Sequence, residues 1–398
     1  MSLDLTRVAG QVSAMISRLG DGRDEDRRRL RFAVDTLNSP AINLEALKRK
    51  IAASRTTWLV AELVEGLNRH YPSPPLPRDF TVIAADGSHI DVDRHHSTRC
   101  YLINIGAAVI KYGNQPDACL SSLPRLYSED KDLAITPPGN GRRQPVEGTI
   151  LGVKRSVEEC QRLAELTAGA PDGSDCLALL DGTLILWGLE AYPDFVTDVL
   201  LNNGLLKCLG AMKKLNAGRR VAMASYISFP RSTDVVNVLR VAICPNDAPD
   251  CDRDCPPGRE RDCEAVADVR DRDIFMDLLE TGERSALFIS PSRIVKERYG
   301  EHRIYFFYLR AGDEIARIEI PQWVAESQPL LDLTQCLVLD QVKRGQGYPV
   351  VLSEAHEQAV VTGADRESFW ELVEVSLVEE HLPGTGSAKS FSKRTRWI

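Results

Sequence analysis

No apolar run in the chain approaches the roughly 18 residues that a helical membrane span needs, so a membrane protein of that kind is not expected. The first residues, Met1-Ser2-Leu3-Asp4-Leu5-Thr6-Arg7, lack the basic-then-apolar order of a secretory signal, and a cytoplasmic protein is expected. A Gly-x-x-x-x-Gly-Lys-Ser/Thr phosphate loop is missing, which excludes a nucleotide motor of the P-loop kind. Solenoid repeats are missing as well. Positive charge is in short supply: Lys and Arg number 49 against 57 Asp and Glu, a net charge of −8. That disfavours a surface binding nucleic acid all over, because neutralising phosphates takes clustered cations, yet it leaves room for a local basic groove. Closely paired Cys-x-x-Cys spacings are absent although the chain holds ten cysteines.

What is present fits an ordinary α/β protein. With 398 residues, 43% hydrophobic and 27% charged, either one elaborated domain or two modest ones would bury a core. Leu44, Leu47, Ile51, Leu59, Leu63 and Leu67 share one face if residues 44–67 are helical, so residues 1–77 read as a helical arm. Four prolines among residues 72–77 then impose an extended connector. Residues 80–85 and 101–112 read as core strands, 120–144 as a long polar loop, 146–166 as a helix and 177–181 as a strand. Alternation continues with a helix at 205–216 and a strand at 221–227. Helices at 234–241 and 271–280, a hairpin around Gly312-Asp313, and helices at 322–343, 353–361 and 366–379 complete the pattern. Residues 383–398 read as a flexible basic tail carrying Lys389, Lys393, Arg394 and Arg396. The hairpin favours a mixed sheet over an all-parallel one.

Two apolar runs end alike. Val82-Ile83-Ala84-Ala85 leads into Asp86-Gly87-Ser88, and Leu177-Ala178-Leu179-Leu180 into Asp181-Gly182-Thr183. A carboxylate at the end of a buried strand is held rigidly, which suits a hard cation, and converging carboxylates can place two ions about 4 Å apart for phosphodiester hydrolysis. Asp-Gly is equally a tight-turn dipeptide, so either copy alone is readily a turn.

These residues and their surroundings resemble the NurA family of DNA end-processing nucleases. Collinear segments agree over residues 80–378: Ala224-Ser225-Tyr226-Ile227-Ser228 with Asp234-Val235-Val236, Glu283-Arg284-Ser285, Phe307-Tyr308-Leu309 through Arg317-Ile318-Glu319-Ile320-Pro321, and Gly347-Tyr348-Pro349 with His356. The resemblance implies an RNase H-like mixed sheet flanked by helices in residues 78–382. It also implies an active site of Asp86, a helix-borne Glu, Asp181, Tyr348 and His356. Glu158, Glu159 and Glu165 are the candidates for the Glu, with Glu159, one helical turn after Arg155, preferred. Two Mn2+ or Mg2+ ions on Asp86, Glu159, Asp181 and His356 follow, with Tyr348 orienting a phosphate. Ser88 and His89 are candidates for substrate contact or a simple turn, and Arg284 for the DNA backbone or an internal ion pair. The implied partners are DNA, a second copy of the chain and a hexameric HerA-type ATPase, in end resection of double-strand breaks. The rival readings are a non-catalytic adaptor of a DNA-pumping ATPase and an RNase H-like nuclease acting on RNA.

Six cysteines (Cys100, Cys119, Cys160, Cys176, Cys208, Cys336) are scattered and read as small buried hydrophobes. Cys244, Cys251, Cys255 and Cys263 instead crowd into a polar, proline-containing insertion. Four thiolates there would suit structural Zn2+ or an Fe–S cluster, with disulfides or free thiols as the other readings.

Overall fold

The computed structural model describes residues 4–92, 98–139, 141–170, 173–256, 258 and 261–382. The basic tail, including Lys389, Lys393, Arg394 and Arg396, lies outside the described residues. Contacts divide the chain into two compact units that are discontinuous in sequence. One comprises Met1–Pro72, Ser228–Ser292 and Phe306–Arg317, the other Ser73–Ile227, Arg293–Tyr305 and Ile318–Ile398.

In the second unit, β1 (Phe80–Ile90), β2 (Tyr101–Tyr112) and β3 (Asp117–Tyr127) form an antiparallel meander. Helix α1 (Thr149–Ala168) then carries the chain to β4 (Asp175–Asp181), which lies parallel to β1, and α2 (Leu206–Leu215) leads to β5 (Val221–Ile227), parallel to β4. The order β3-β2-β1-β4-β5, antiparallel on one side and parallel on the other, is the expected RNase H-like mixed sheet. Helices α3 (Gln328–Arg344), α4 (Val350–Ala359) and α5 (Gly363–Glu379) also belong to the unit. The central strands read as unbroken apolar runs because both their faces are buried: Val82, Ile83, Ala84, Leu177, Ala178 and Leu179 are fully inaccessible. Helix α1 buries Ile150, Leu151, Val153, Val157, Cys160 and Leu163, the three-and-four spacing that its sequence shows.

Two sequence expectations fail for physical reasons. The polar loop expected over residues 120–144 begins instead as strand β3, almost wholly exposed and, among the described residues, pairing only with β2. An edge strand needs no apolar alternation and tolerates Pro124, so it carries no strand signature. The helix expected to run through 59–67 stops at Ala53, and Glu62–Leu63 pairs antiparallel with Phe288–Ile289 instead. Leu63 and Leu67 are buried all the same, in the core of the first unit with Leu37, Leu47, Leu239, Phe275 and Phe288.

The first unit is tied by a buried polar knot. Asp271, fully inaccessible, accepts from Val236 N (2.8 Å) and Val235 N (3.1 Å) at the start of helix Asp234–Ile243, and from the Tyr308 hydroxyl at 2.6 Å. Arg317 Nη1 pairs with Asp234 Oδ2 at 2.7 Å. Burial drives the Asp271 carboxyl up to about 7, so its three donors stand against a large desolvation cost.

One packing contact positions the site of the second unit. A Cβ at Gly106 of β2 would lie 2.3 Å from both Ala355 O and Ala359 N, so helix α4 rests directly on the bare strand. Asn104 on the same strand donates to the carbonyls of Gln358 and Ala359, each at 3.1 Å, and caps the helix C-terminus. Ser122 donates to Asn104 Oδ1 at 2.9 Å and fixes that amide's orientation. Gly106→Ala is therefore expected to lower stability by about 1–3 kcal/mol through overpacking. Chemical denaturation checks this, and an unchanged midpoint would contradict the close approach.

Candidate active site

Asp86 is not at a strand end, as the sequence suggested. Strand β1 continues through Asp86-Gly87-Ser88 to Ile90, paired with β2 in the register Asp86↔Gly106 and Gly87↔Ile105. What ends near Asp86 is the parallel pairing with β4, whose last rung is Ala85↔Leu180. Asp181 is the last residue of β4. The two carboxylates thus stand where the parallel pairing of β1 with β4 ends, Asp181 at the carboxyl end of its strand, the edge at which open α/β sheets hold ligands.

Gly87 has a role that its turn-like sequence concealed. A Cβ there would lie 2.6 Å from Glu159 Oε1 and 2.9 Å from Arg155 Cγ. The missing side chain lets Glu159 of α1 come down onto β1 beside Asp86. Among the three glutamates proposed from sequence, the structure separates the roles. Glu158 accepts from the Tyr127 hydroxyl at 2.7 Å, and Glu165 faces solvent with Arg162 at 3.3 Å. The Glu159 carboxyl, 7% exposed as a residue, is the one that feels Asp86 and Asp181. Burial first, and those two negative charges after it, push Glu159 up to about 8 against the lowering pull of Arg155, whose Nε lies 3.0 Å from Oε1.

His356 reaches the site from α4, held over Gly106. Its Nδ1 lies 2.6 Å from Asp86 Oδ2, while the imidazole remains 62% exposed. Asp86 Oδ1 accepts from Gly87 N at 2.7 Å. Tyr348 donates its hydroxyl to Asp181, and the desolvated surroundings together with that carboxylate raise the phenol well above its ordinary range. It remains a neutral donor. Partial desolvation and the charge of Asp86 also push Asp181 upward, with the Tyr348 hydrogen bond opposing them. Sequence reasoning therefore named five side chains that the fold brings together: Asp86, Glu159, Asp181, Tyr348 and His356.

Other named residues fall elsewhere. His89 points to the α1 side of β1, where burial and Arg155 lower its pKa. Thr183 donates to Glu319 Oε2 at 2.7 Å, and Leu184 N donates to the same oxygen at 3.0 Å. With Gly182 at φ +85°, the turn after Asp181 is a true Asp-Gly turn as well as a site element. Arg284 belongs to the first unit, 2% exposed, its guanidinium 4.0 Å over the Tyr71 ring and its Nη1 donating to Ser285 O. It presents no free charge to DNA, which corrects that expectation in favour of internal packing. Tyr226, opposite Asp181 in the β4–β5 register and edge-on to Tyr348 at 5.5 Å, was quoted only as motif and emerges as the wall behind the site. No single-sequence signal marks it beyond its place at the end of an apolar run.

The donor set suits a hard divalent cation, since it offers carboxylate oxygens that repel one another when no cation is present. Among the described residues no three His, Cys, Asp or Glu side chains already form a ready-made cation cage. The family model described as the NurA domain matches residues 80–361. No curated protein and no solved structure matches the chain.

The raised carboxyl of Glu159 has a defined sign. Its folded pKa exceeds the unfolded value of 4.5, so its contribution to stability is intact below pH 4.5 and is lost as pH rises through about 8. Glu159→Gln is accordingly expected to raise the Tm of metal-free protein at pH 8.5 by a few degrees, on the order of 1 kcal/mol, with little change at pH 4.5. Calorimetry at the two pH values decides; a lower Tm at pH 8.5 would contradict the assignment of Glu159 as a strained carboxylate.

Proposed function

The chain belongs to the NurA family of nucleases, and we propose that it is a Mn- or Mg-dependent phosphodiesterase acting on DNA ends. The convergence of Asp86, Glu159 and Asp181 where the β1–β4 pairing ends carries this reading. Bound divalent ions, two in the proposed state, would supply Lewis acidity and lower the pKa of the attacking water. Asp86, Glu159 and Asp181 would hold them, with His356 as a further ligand or a proton carrier. Because His356 Nδ1 is engaged by Asp86, Nε2 is the nitrogen left to bind or pass a proton. Tyr348 keeps Asp181 oriented and, as a neutral hydroxyl, is a donor for a phosphate oxygen. Arg155 offsets part of the carboxylate charge from the α1 side.

The proposal extends to partners. A chain of net charge −8 without a phosphate loop gains most from a partner that supplies both DNA affinity and motion. A hexameric HerA-type ATPase feeding DNA to a homodimer of this chain fits that need and places the reaction in end resection of double-strand breaks.

The decisive experiment uses linear DNA and RNA substrates with Mn2+. Asp86→Asn is expected to reduce DNA cleavage by more than about 100-fold while leaving circular dichroism and Tm in the folded range. Unchanged cleavage would sink the catalytic assignment, and equal cleavage of RNA by the parent protein would redirect the substrate assignment. The Mn2+ concentration giving half-maximal cleavage is also expected to fall as pH rises through about 8, because Glu159 must lose its proton to hold a cation. A flat dependence between pH 6.5 and 8.5 would remove Glu159 from the ligand set.

A further inference from the structure

The cysteines divide three ways, and Cys119 departs from the buried role expected of it. Cys100, Cys160, Cys176, Cys208 and Cys336 are buried and pack as small hydrophobes, and Cys119 stands exposed on β3. Cys244, Cys251, Cys255 and Cys263 are all half-buried free thiols. They fall in a stretch that has almost no core of its own: among the described residues of 244–263, only Pro249 is buried. A stretch with so few buried residues gains little from packing, the situation in which small structures rely on a staple.

The stretch is nevertheless anchored where one of the thiols sits. Arg55 N donates to Pro249 O at 2.7 Å and Cys251 N to Arg55 O at 3.0 Å, which lays the loop against an extended segment. The backbone N–H of Thr57 is directed at the Cys251 sulfur, and Cys255 and Cys263 stand near enough to Cys251 to act on its charge. Cations lie along the stretch, one acting on a sulfur and two hydrogen-bonded to backbone carbonyls. Arg240 acts on Cys251 while stacked 4.4 Å over Trp58, Arg261 Nη2 donates to Cys255 O at 3.3 Å, and Lys50 Nζ donates to Cys244 O at 2.5 Å. Backbone N–H donors and nearby cations are what four thiolates on one centre require, since such a centre carries net negative charge.

We propose that Cys244, Cys251, Cys255 and Cys263 are the thiolate ligands of a structural metal centre, a zinc ion or an iron–sulfur cluster, that fastens the insertion to the segment around Arg55. Among the described residues no three of these groups already stand as a finished cage. Binding would draw the thiols together, and Asp252, Arg253, Pro256, Gly258 and Asp262 between them are exposed. Soft sulfur ligands keep this centre chemically separate from the oxygen-lined site of Asp86 and Asp181.

The test is metal and sulfide analysis of the full chain purified without air or chelator from cells supplied with zinc and iron. A colourless protein with about one zinc per chain supports a zinc centre. About four irons with matching acid-labile sulfide and visible absorption support a cluster. Either content is expected to vanish in the double variant Cys251→Ser/Cys255→Ser and to persist in Cys336→Ser and Asp86→Asn. Neither metal in stoichiometric amount in the parent protein overturns the proposal, as does retention in the double variant. Should that variant fail to fold, alkylation mapping of the parent protein decides. Protection of these four thiols until acid or chelator releases the metal supports the centre, and free labelling beforehand overturns it.

Discussion

Three carboxylates that repel one another govern the architecture of the candidate site. Asp86, Glu159 and Asp181 come from two parallel strands and the helix between them, and burial together with the neighbouring carboxylate charge makes Glu159 and Asp181 less easily ionised. Their like charges would separate if the side chains were free to move, so every neighbour acts to prevent that. Asp86 is held between Gly87 N and His356, Asp181 by the Tyr348 hydroxyl, and Glu159 by its burial and Arg155. Strain of this kind is stable only where surrounding packing over-determines the positions, and it is relieved by a cation.

Two glycines supply the room for that packing. Gly87 admits Glu159 from one face of β1, and Gly106, its neighbour's partner across the strand pair, admits helix α4 with His356 from the other. Side chains on adjacent strand positions point to opposite faces, so the register Asp86↔Gly106 puts the Asp86 carboxylate on the α4 side and the gap at Gly87 on the α1 side. One bare position on each face is what lets groups from both sides of the sheet meet at the end of the β1–β4 pair. The Asn104 cap then keeps α4, and hence His356, from sliding along β2.

The first unit holds its shape by different means, with a fully buried Asp271 serving as a shared acceptor for a helix start and for Tyr308. Such a group is costly unless its donors are all in place, so the knot favours one arrangement of helix Asp234–Ile243 over any shifted one. The insertion that follows this helix has neither a knot nor a core, which is why its cysteines stand out.

The sequence by itself determined the α/β class, most of the elements around the site and the pair of aspartates, because buried central strands show as apolar runs and amphipathic helices show as a three-and-four period. It also held the ordered set Asp86, Glu, Asp181, Tyr348 and His356, legible through family resemblance rather than spacing. The sequence preferred Glu159 without excluding Glu158 or Glu165. Only the tertiary structure shows which of the three packs on Gly87 beside Asp86, since adjacent helix positions point in different directions. It likewise turned Gly87 from a turn residue into a point of close approach, moved Arg284 into a buried stack and revealed β3 where an edge strand left no apolar pattern. Those features depend on contacts between residues distant in the chain, and such contacts leave no local period to read.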